Sequence, residues 1–445
     1  MPTHAALFPR DFHKSFPVAV RGEGSWIFSL DGRKFLDAAG QAAVVNIGHG
    51  VPEIARAMAA QSSQIAFAQT SQFHTPAAEK LASRLLALAP PNFQNGGRVY
   101  FTSGGSEATE TAIKLVRQFF LEKGQPERFR VLSRRQSYHG STLGAMTVSG
   151  NVMRRAPYLP LLAEWGHIAP CFCYHCPFEK TFPQCHLSCA DDLDSFLSAT
   201  DANTAAAFIF EPVVGATLAA AAPPEGYAAR IAEICRKHGI LLVADEVMTG
   251  MGRTGKPFAV QHWDLQPDII LTGKGIAGGY APLGAVLVAA NIVEAFERSP
   301  RAFQHGFTYQ AHPVATAAGN AVLDYIEAHN LFGRVTPTSE TLRSALAPLA
   351  SHPHVGEIRG LGLLLGIEFV RDKSTRVPFE PAHAIAEKIR AAAMDEGVLV
   401  YPTQGCVDGI RGDQILLAPP FILTEEESAL IAKALSKALA RVFAS

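Results

Sequence analysis

The sequence predicts an α/β fold: one large, doubly wound, mostly parallel sheet, with a smaller α+β unit drawn from both ends of the chain. Three observations carry this. Apolar runs of strand length recur through the middle of the chain, as in AAAFIFEPVV (205–214), ILLVADEV (240–247) and DIILTGK (268–274). Such unbroken runs suit strands covered on both faces. Between them lie segments with apolar residues at helical spacing. From about residue 325 the alternation gives way to paired strands and helices.

The elements follow in order. Residues 1–60 read as an arm and short strands, with Asp31-Gly32 as a hairpin turn between WIF (26–28) and FL (35–36). Residues 61–325 form the large unit. RVYFTS (98–103) is a strand, and SEATETAIKLVRQFFLEK (106–123) a helix with Ala112, Ile113, Val116, Phe119 and Phe120 on one face. RFRVLS (128–133) is the next strand. YAARIAEICRKHG (227–239) is an amphipathic helix closed by Gly239. GAVLVAA (284–290) is a further buried strand. Residues 326–445 form the small unit: two strands around Gly360–Gly362, a helix over 380–396, VLVYP, QILLAPPF and a last helix. Thr424 is its expected N-cap, with Glu425, Glu426 and Glu427 at the positive end of the dipole.

Composition excludes several function classes. The 445 residues are 48% hydrophobic and 18% charged, with a formal net charge of −1. That is material for large cores rather than disorder. No basic face is concentrated enough for nucleic acid, and no apolar run reaches membrane-spanning length. MPTHAALFPRDFHK lacks the apolar core of a signal peptide, so a cytoplasmic protein is expected. Seven cysteines in so long a chain do not make a secreted disulfide scaffold.

Four local features carry chemistry. Lys274 ends a buried strand and is followed by GIAGGYAPLGA. Burial disfavours an ammonium, and a depressed amine is a nucleophile or Schiff-base former; a strand-end lysine reaching solvent fits the local sequence equally well. Asp245 also ends a buried strand, where open α/β sheets bind ligands. A carboxylate there suits a pyridinium N–H, or simply caps the next turn. Glu246, one residue on, should point the other way. SGGSEATE (103–110) places glycines and serines between a strand and a helix, an anion site or an unliganded turn. Tyr138-His139-Gly140 offers an aromatic face for a flat heterocycle, or a buried tyrosine in a turn.

In this order the features resemble the class III, ω-type aminotransferases. The resemblance runs from GEGSWIFSLDGRKFLD through FTSGGSEATETAIKLVR, YHG, EPVVG, VADEVMTGMGRTG, TGKGIAGGYAPLGAV and GFTYQAHPVA to LAPPFILTEEE. It implies a fold-type-I homodimer, or a tetramer built from it, with pyridoxal 5'-phosphate at the interface. Lys274 would form the Schiff base and shuttle a proton, and Asp245 would pair with the ring nitrogen. Gly105 and Ser106 would hold the phosphate. Tyr138 would stack on the ring, His139 lie beside it and Val247 pack on its other face. Glu211 would lie near the phenolic oxygen, and Thr308 would reach the phosphate in the neighbouring subunit. The implied reaction is ping-pong transamination from an ω-amino acid or primary amine to an α-oxo acid such as pyruvate. Aminomutase, decarboxylase or racemase chemistry stays open on the same cofactor.

The chain departs from its relatives at two places. Many of them carry an arginine three residues before a Gly-Asp pair, where it binds the acceptor's carboxylate. Here the pair is Gly412-Asp413, the position three before is Gly409, and Arg411 directly precedes the pair. Arg411 reaches the substrate from a remodelled loop, or pairs at the surface with Asp408 or Asp413. Trp26, residues 44–46 and Tyr401 are further candidate pocket walls by the same resemblance. The second departure is CFCYHCPFEKTFPQCHLSC (171–189), with Cys173, Cys176, Cys185 and Cys189. Four thiolates suit zinc, but the second pair is C-x-x-x-C rather than C-x-x-C. A structured insertion with reduced thiols or a redox-sensitive pair is the favoured reading. An inactive scaffold that senses metal or redox state through this cluster is the alternative from another function class; intact Lys274, Asp245 and Ser106 argue against it.

Overall fold

The structure, a computed structural model, describes residues 6–444; Ser445 and the first five residues of the arm, where the signal-peptide reading begins, lie outside the described residues. A seven-stranded sheet forms its centre. In spatial order the strands are Arg98–Thr102, Gly284–Val288, Ile269–Thr272, Leu241–Asp245, Ala205–Phe210, Arg130–Arg134 and His167–Ile168. Gly284–Val288 runs against both its neighbours, and the other neighbouring pairs are parallel.

The two-residue period of a strand explains why these runs are apolar throughout. Phe208, Phe210, Leu242, Ala244 and Ile270 pack into the core on one face, while Ala207, Ile209, Val243, Ile269 and Leu271 pack into the core on the other. The helix Gly105–Glu122 covers the second face with Ala108, Ala112, Leu115, Val116 and Phe119. The helix Tyr227–His238 covers the first with Ile231 and Ile234, and ends on Gly239 at φ +62°. The run expected to stay extended to residue 214 stops at Phe210. Pro212 has no N–H to continue the ladder.

The chain ends meet in a second sheet. Ala19–Glu23, Trp26–Ser29 and Lys34–Asp37 form a meander, and Val398–Leu399 pairs parallel to its last strand. A third, antiparallel sheet holds Val355–Leu361, Leu364–Phe369, Asp413–Leu417 and Tyr401–Gln404. One core joins these strands to the helices Pro313–Ala328, Leu331–Leu346, Ile385–Asp395 and Glu425–Phe443. The helix expected from 380 begins only at Ile385, after a short 3₁₀ turn Pro381–His383 and Ala384 at φ +46°. Thr424 caps the last helix: its Oγ1 accepts from Glu427 N at 3.1 Å, and Glu427 Oε2 accepts from Thr424 N at 3.0 Å. This reciprocal pair satisfies two otherwise orphaned donors.

The cysteine-rich segment is tied to the fold by polar contacts. Arg134 Nη1 donates to Cys171 Sγ at 3.0 Å, and His175 Nε2 meets Glu368 Oε1 at 2.5 Å. Its five cysteines are free thiols: Cys171, Cys185 and Cys189 are buried, Cys176 half-buried and Cys173 exposed. Burial pushes the Cys189 thiol up to about 12. Among the described residues no group of three or more His, Cys, Asp or Glu side chains is arranged to hold a metal ion. Among the described residues, too, no helix is long and apolar enough to cross a membrane.

Candidate active site

One crevice lies at the C-terminal ends of the parallel strands, where open α/β sheets bind ligands. It encloses about 910 Å³, counted to its open mouth. Each strand end delivers one part of its wall. Arg98–Thr102 leads into Gly105 and Ser106, and Arg130–Arg134 into Tyr138 and His139. Ala205–Phe210 leads into Glu211, Leu241–Asp245 ends on Asp245 with Val247 just beyond, and Ile269–Thr272 leads into Lys274.

Lys274 follows the extended Gly273 and sits at φ +46°, a left-handed conformation that is uncommon for a side chain with a Cβ. Asn46 Nδ2 braces this turn by donating to Gly275 O at 3.0 Å. Lys274 Nζ has no hydrogen-bond partner among the described residues, and its remaining exposed surface opens into the crevice. Burial lowers the amine from an ordinary value of 10.5 to about 8, against the opposing pull of the Asp245 and Glu211 carboxylates.

Asp245 and His139 are locked together. Asp245 Oδ2 meets His139 Nδ1 at 2.7 Å, and Oδ1 accepts from Val247 N at 3.1 Å. His139 Nε2 is buried and has no partner among the described residues. Glu211 bridges two loops: Oε1 accepts from Tyr138 N at 3.0 Å and Oε2 from Gly215 N at 2.8 Å. Burial raises its pKa, with the Asp245 charge adding to the rise and His139 and the two N–H donors opposing it. Glu246 points away from the crevice, accepting from Val260 N at 2.8 Å.

The end of the crevice at Gly105 and Gly140 is shaped by missing side chains. A Cβ at Gly105 would stand 2.9 Å from Val247 Cγ1, and one at Gly140 would stand 2.7 Å from Ser106 Oγ. The first turn of the 18-residue helix Gly105–Glu122 opens here, so its free N–H groups and the positive end of its dipole face the crevice, a setting that suits an anion. Ser106 Oγ accepts from Ser141 N at 3.0 Å, and Ser141 Oγ lies 2.9 Å from the Tyr138 hydroxyl.

Trp26 and Arg411 are not part of the crevice lining, and neither is Thr308, the residue expected to serve the neighbouring subunit's site. Trp26 Nε1 donates to Glu427 Oε1 at 2.7 Å, so the indole fastens the N-terminal meander to the last helix. Arg411 Nε donates to Asp408 Oδ2 at 2.7 Å and its backbone N donates to Asp408 Oδ1 at 2.7 Å, which turns it to the surface. Thr308 is exposed in the loop before Pro313–Ala328. Tyr401 does line the crevice, joined by Ala42, Ala216 and Met248 and by two arginines, Arg10 and Arg154, which the sequence did not single out. Arg154 belongs to the one-turn helix Val152–Arg155, whose local sequence has no periodicity to flag it. This helix also packs on the displaced-arginine loop: Gly409 has φ +91°, and a Cβ there would collide with Val152 Cγ2.

Comparison with known proteins gives one answer. The model of the family "Aminotransferase class-III" matches residues 8–439. An uncharacterized aminotransferase YodT from Bacillus subtilis is 38% identical over 98% of each chain. The diaminobutyrate–2-oxoglutarate transaminase of Halomonas elongata is 33% identical over 95% of this chain and 91% of its own. An amine transaminase from an uncultivated Pseudomonas species, solved in its PLP-bound form, superposes with a TM-score of 0.90 at 38% identity, covering 99% of this chain and 98% of the other.

Proposed function

Because the chain belongs to the class-III aminotransferases, which are pyridoxal 5'-phosphate enzymes of fold type I, we propose that it carries an amino group from an ω-amino acid or primary amine to an α-oxo acid, by a ping-pong route in which Lys274 is both covalent anchor and proton carrier. The observation that carries this reading is the setting of Lys274. It is a strained residue with a depressed amine, open to a crevice and one strand away from Asp245.

The residues present fit the cofactor. The glycine cradle at Gly105 and Gly140, the open helix start and Ser106 would hold its phosphate. Asp245 would pair with the ring nitrogen, Tyr138 and Val247 would lie against the ring faces, and His139, fixed by Asp245, would lie beside it. Pyridoxal phosphate, when bound, supplies the carbonyl that captures the amine and a ring that stabilises negative charge at the reacting carbon. Lys274 Nζ then takes and returns the proton at that carbon, a role suited to an amine near neutrality. Glu211 would act beside the phenolic oxygen, and Thr308 would serve a phosphate in a neighbouring subunit of a homodimer. The large unit at 61–325 would carry the cofactor, between flanking units at 1–60 and 326–445.

Pyruvate is the proposed acceptor because it brings one carboxylate and a methyl group to a wall containing Ala42, Ala216, Val247 and Met248. Borohydride reduction of the holoenzyme followed by peptide mapping tests the anchor: the label belongs on Lys274, and a label elsewhere refutes the assignment. Incubation with single amines, read by the cofactor's absorbance, tests the half-reaction. If no amine changes the spectrum, transamination of amines is wrong. A donor panel crossed with pyruvate, 2-oxoglutarate and glyoxylate then identifies the acceptor.

A further inference from the structure

We propose that Arg154, braced by Tyr138 and Tyr401, is the group that recognises the substrate's carboxylate, a role Arg411 does not fill. This rests on the aminotransferase reading given above and adds the residue that decides which substrates enter.

Four observations converge on Arg154. It lines the same crevice as Lys274 and Asp245. It has no acidic partner among the described residues, whereas Arg411 is paired with Asp408. Its position is fixed at both ends: Asn151 Oδ1 accepts from its backbone N at 3.0 Å, its guanidinium carbon stands 4.6 Å from the centre of the Tyr138 ring, and Nη2 donates to the Tyr401 hydroxyl at 3.2 Å. Nε and Nη1 have no acceptor among the described residues, and Tyr401 takes one of the two Nη2 hydrogens, so the other Nη2 hydrogen and its neighbour leave one two-donor edge of the fork unclaimed. A planar guanidinium with two free N–H directions is the group that binds a carboxylate bidentately.

The surrounding loops support the same conclusion. The helix that carries Arg154 fills the space beside Gly409, so no side chain from that loop position competes for the site. The Arg154 charge is felt at Lys274, where it helps to hold the amine down. A carboxylate held by Arg154 is therefore within electrostatic range of the reacting amine. Arg10 is the other guanidinium on the crevice wall; it comes from the arm and is exposed. Because Tyr138 is a proposed cofactor contact, the arginine also couples substrate charge to the aromatic wall.

The test uses holoenzyme carrying Arg154→Gln, Arg154→Lys, Arg10→Gln or Arg411→Gln. Three quantities are read: the KM and kcat for pyruvate, the half-reaction with propylamine against β-alanine, and the dissociation constant of propionate from its perturbation of the cofactor spectrum. Propionate has neither amine nor carbonyl, so its binding reports the carboxylate contact without turnover. Arg154→Gln is expected to weaken propionate and raise the KM for pyruvate and β-alanine by about tenfold or more, as loss of a charged hydrogen-bonding partner does. The loss for β-alanine should exceed that for propylamine by about tenfold, since propylamine has no carboxylate to lose and any change passed through Tyr138 or Lys274 is common to both donors. Arg154→Lys should fall between Arg154→Gln and wild type. Equal losses for propylamine and β-alanine, undiminished propionate binding in Arg154→Gln, undetectable propionate binding to wild type, or the same effect from Arg10→Gln or Arg411→Gln would each overturn the proposal. If wild type is converted by no amine and is not labelled at Lys274, the aminotransferase reading itself has failed; if wild type is active and only the Arg154 pattern is missing, this inference alone has failed.

Discussion

Asp245 Oδ2 holds His139 Nδ1 at 2.7 Å, and the far nitrogen of that ring is buried without a partner among the described residues. The carboxylate is thus fixed from beneath by a histidine and from its own loop by Val247 N. Asp245→Asn keeps the shape and removes the charge. Its kcat is expected to fall roughly 10²–10³-fold, the scale seen when one preorganised electrostatic contact to a reacting system is lost. The thermal midpoint of the cofactor-free protein should change little. A variant retaining wild-type kcat would remove Asp245 from the site.

Lys274 links the site to stability. Its folded-state amine lies near 8, below the ordinary 10.5. Below pH 8 both folded and unfolded amines are charged, and the folded state bears the desolvation cost. Between about 8 and 10.5 the unfolded chain binds the extra proton, so stability rises with pH across that window. Lys274→Met in the cofactor-free protein should therefore be more stable than wild type at pH 7, by about 2 kcal/mol after allowing for the crevice opening. The gap should narrow above pH 8. Urea denaturation at pH 7 and 9.5 measures it, and a gap that is constant with pH would show that the amine is not desolvated.

Trp26 and Glu427 give a contrasting case. Glu427 accepts from Trp26 Nε1, Ser25 Oγ and Thr424 N. Glu427→Ala removes a capping box and the tether to the meander together, and should cost about 1–3 kcal/mol. The loss would appear as a lower denaturation midpoint at unchanged slope. Trp26→Phe should lower stability alone and leave the KM of every donor unaltered. A donor-dependent KM would return Trp26 to the substrate wall.

Glu368 anchors a buried network. Arg359 Nη1 donates to its Oε2 at 2.7 Å, His175 Nε2 meets its Oε1, and Arg359 Nη2 donates to Gln414 Oε1 at 2.6 Å. Burial works to raise the Glu368 carboxyl, but His175 and Arg359 outweigh it and its folded value is lowered. Its stabilising contribution is thus present above the ordinary value near 4.5 and lost as pH falls through the folded value. Glu368→Ala removes one of the two carboxylates on Arg359 Nη1, leaving Glu357 Oε2 at 3.0 Å, and should cost about 1–3 kcal/mol. Glu368→Gln should cost less and show a shallower loss of stability on acidification than wild type, as followed by tryptophan fluorescence during acid titration.

Much of this was readable in the chain itself, for physical reasons. Strands buried on both faces must be apolar at every position, so 240–247 and 268–274 announced the sheet and, with it, the ends on which Asp245 and Lys274 stand. Arg154 was not readable, because a one-turn helix has too few residues to show periodicity and its role comes from neighbours such as Tyr401, far away in sequence. Trp26 and Arg411 were placed at the substrate by analogy of position. A hydrogen bond to Glu427 and an ion pair with Asp408, neither visible as a pattern, draw them elsewhere. The thiol segment kept its own geometry hidden for the same reason: His175 and Arg134 hold it through partners on other elements.

The contact between Gly409 and Val152 makes the present arrangement hard to reverse. An arginine placed at 409 meets two obstacles at once, a left-handed backbone at φ +91° and the Val152 side chain. Trimming Val152 removes the second obstacle and leaves the first, while reshaping the loop alone leaves the second. Gly409→Arg would need two accommodating changes beside it, a trimmed Val152 and a reshaped loop. The short helix that carries Arg154 therefore acts as a ratchet on substrate preference as well as a wall of the crevice.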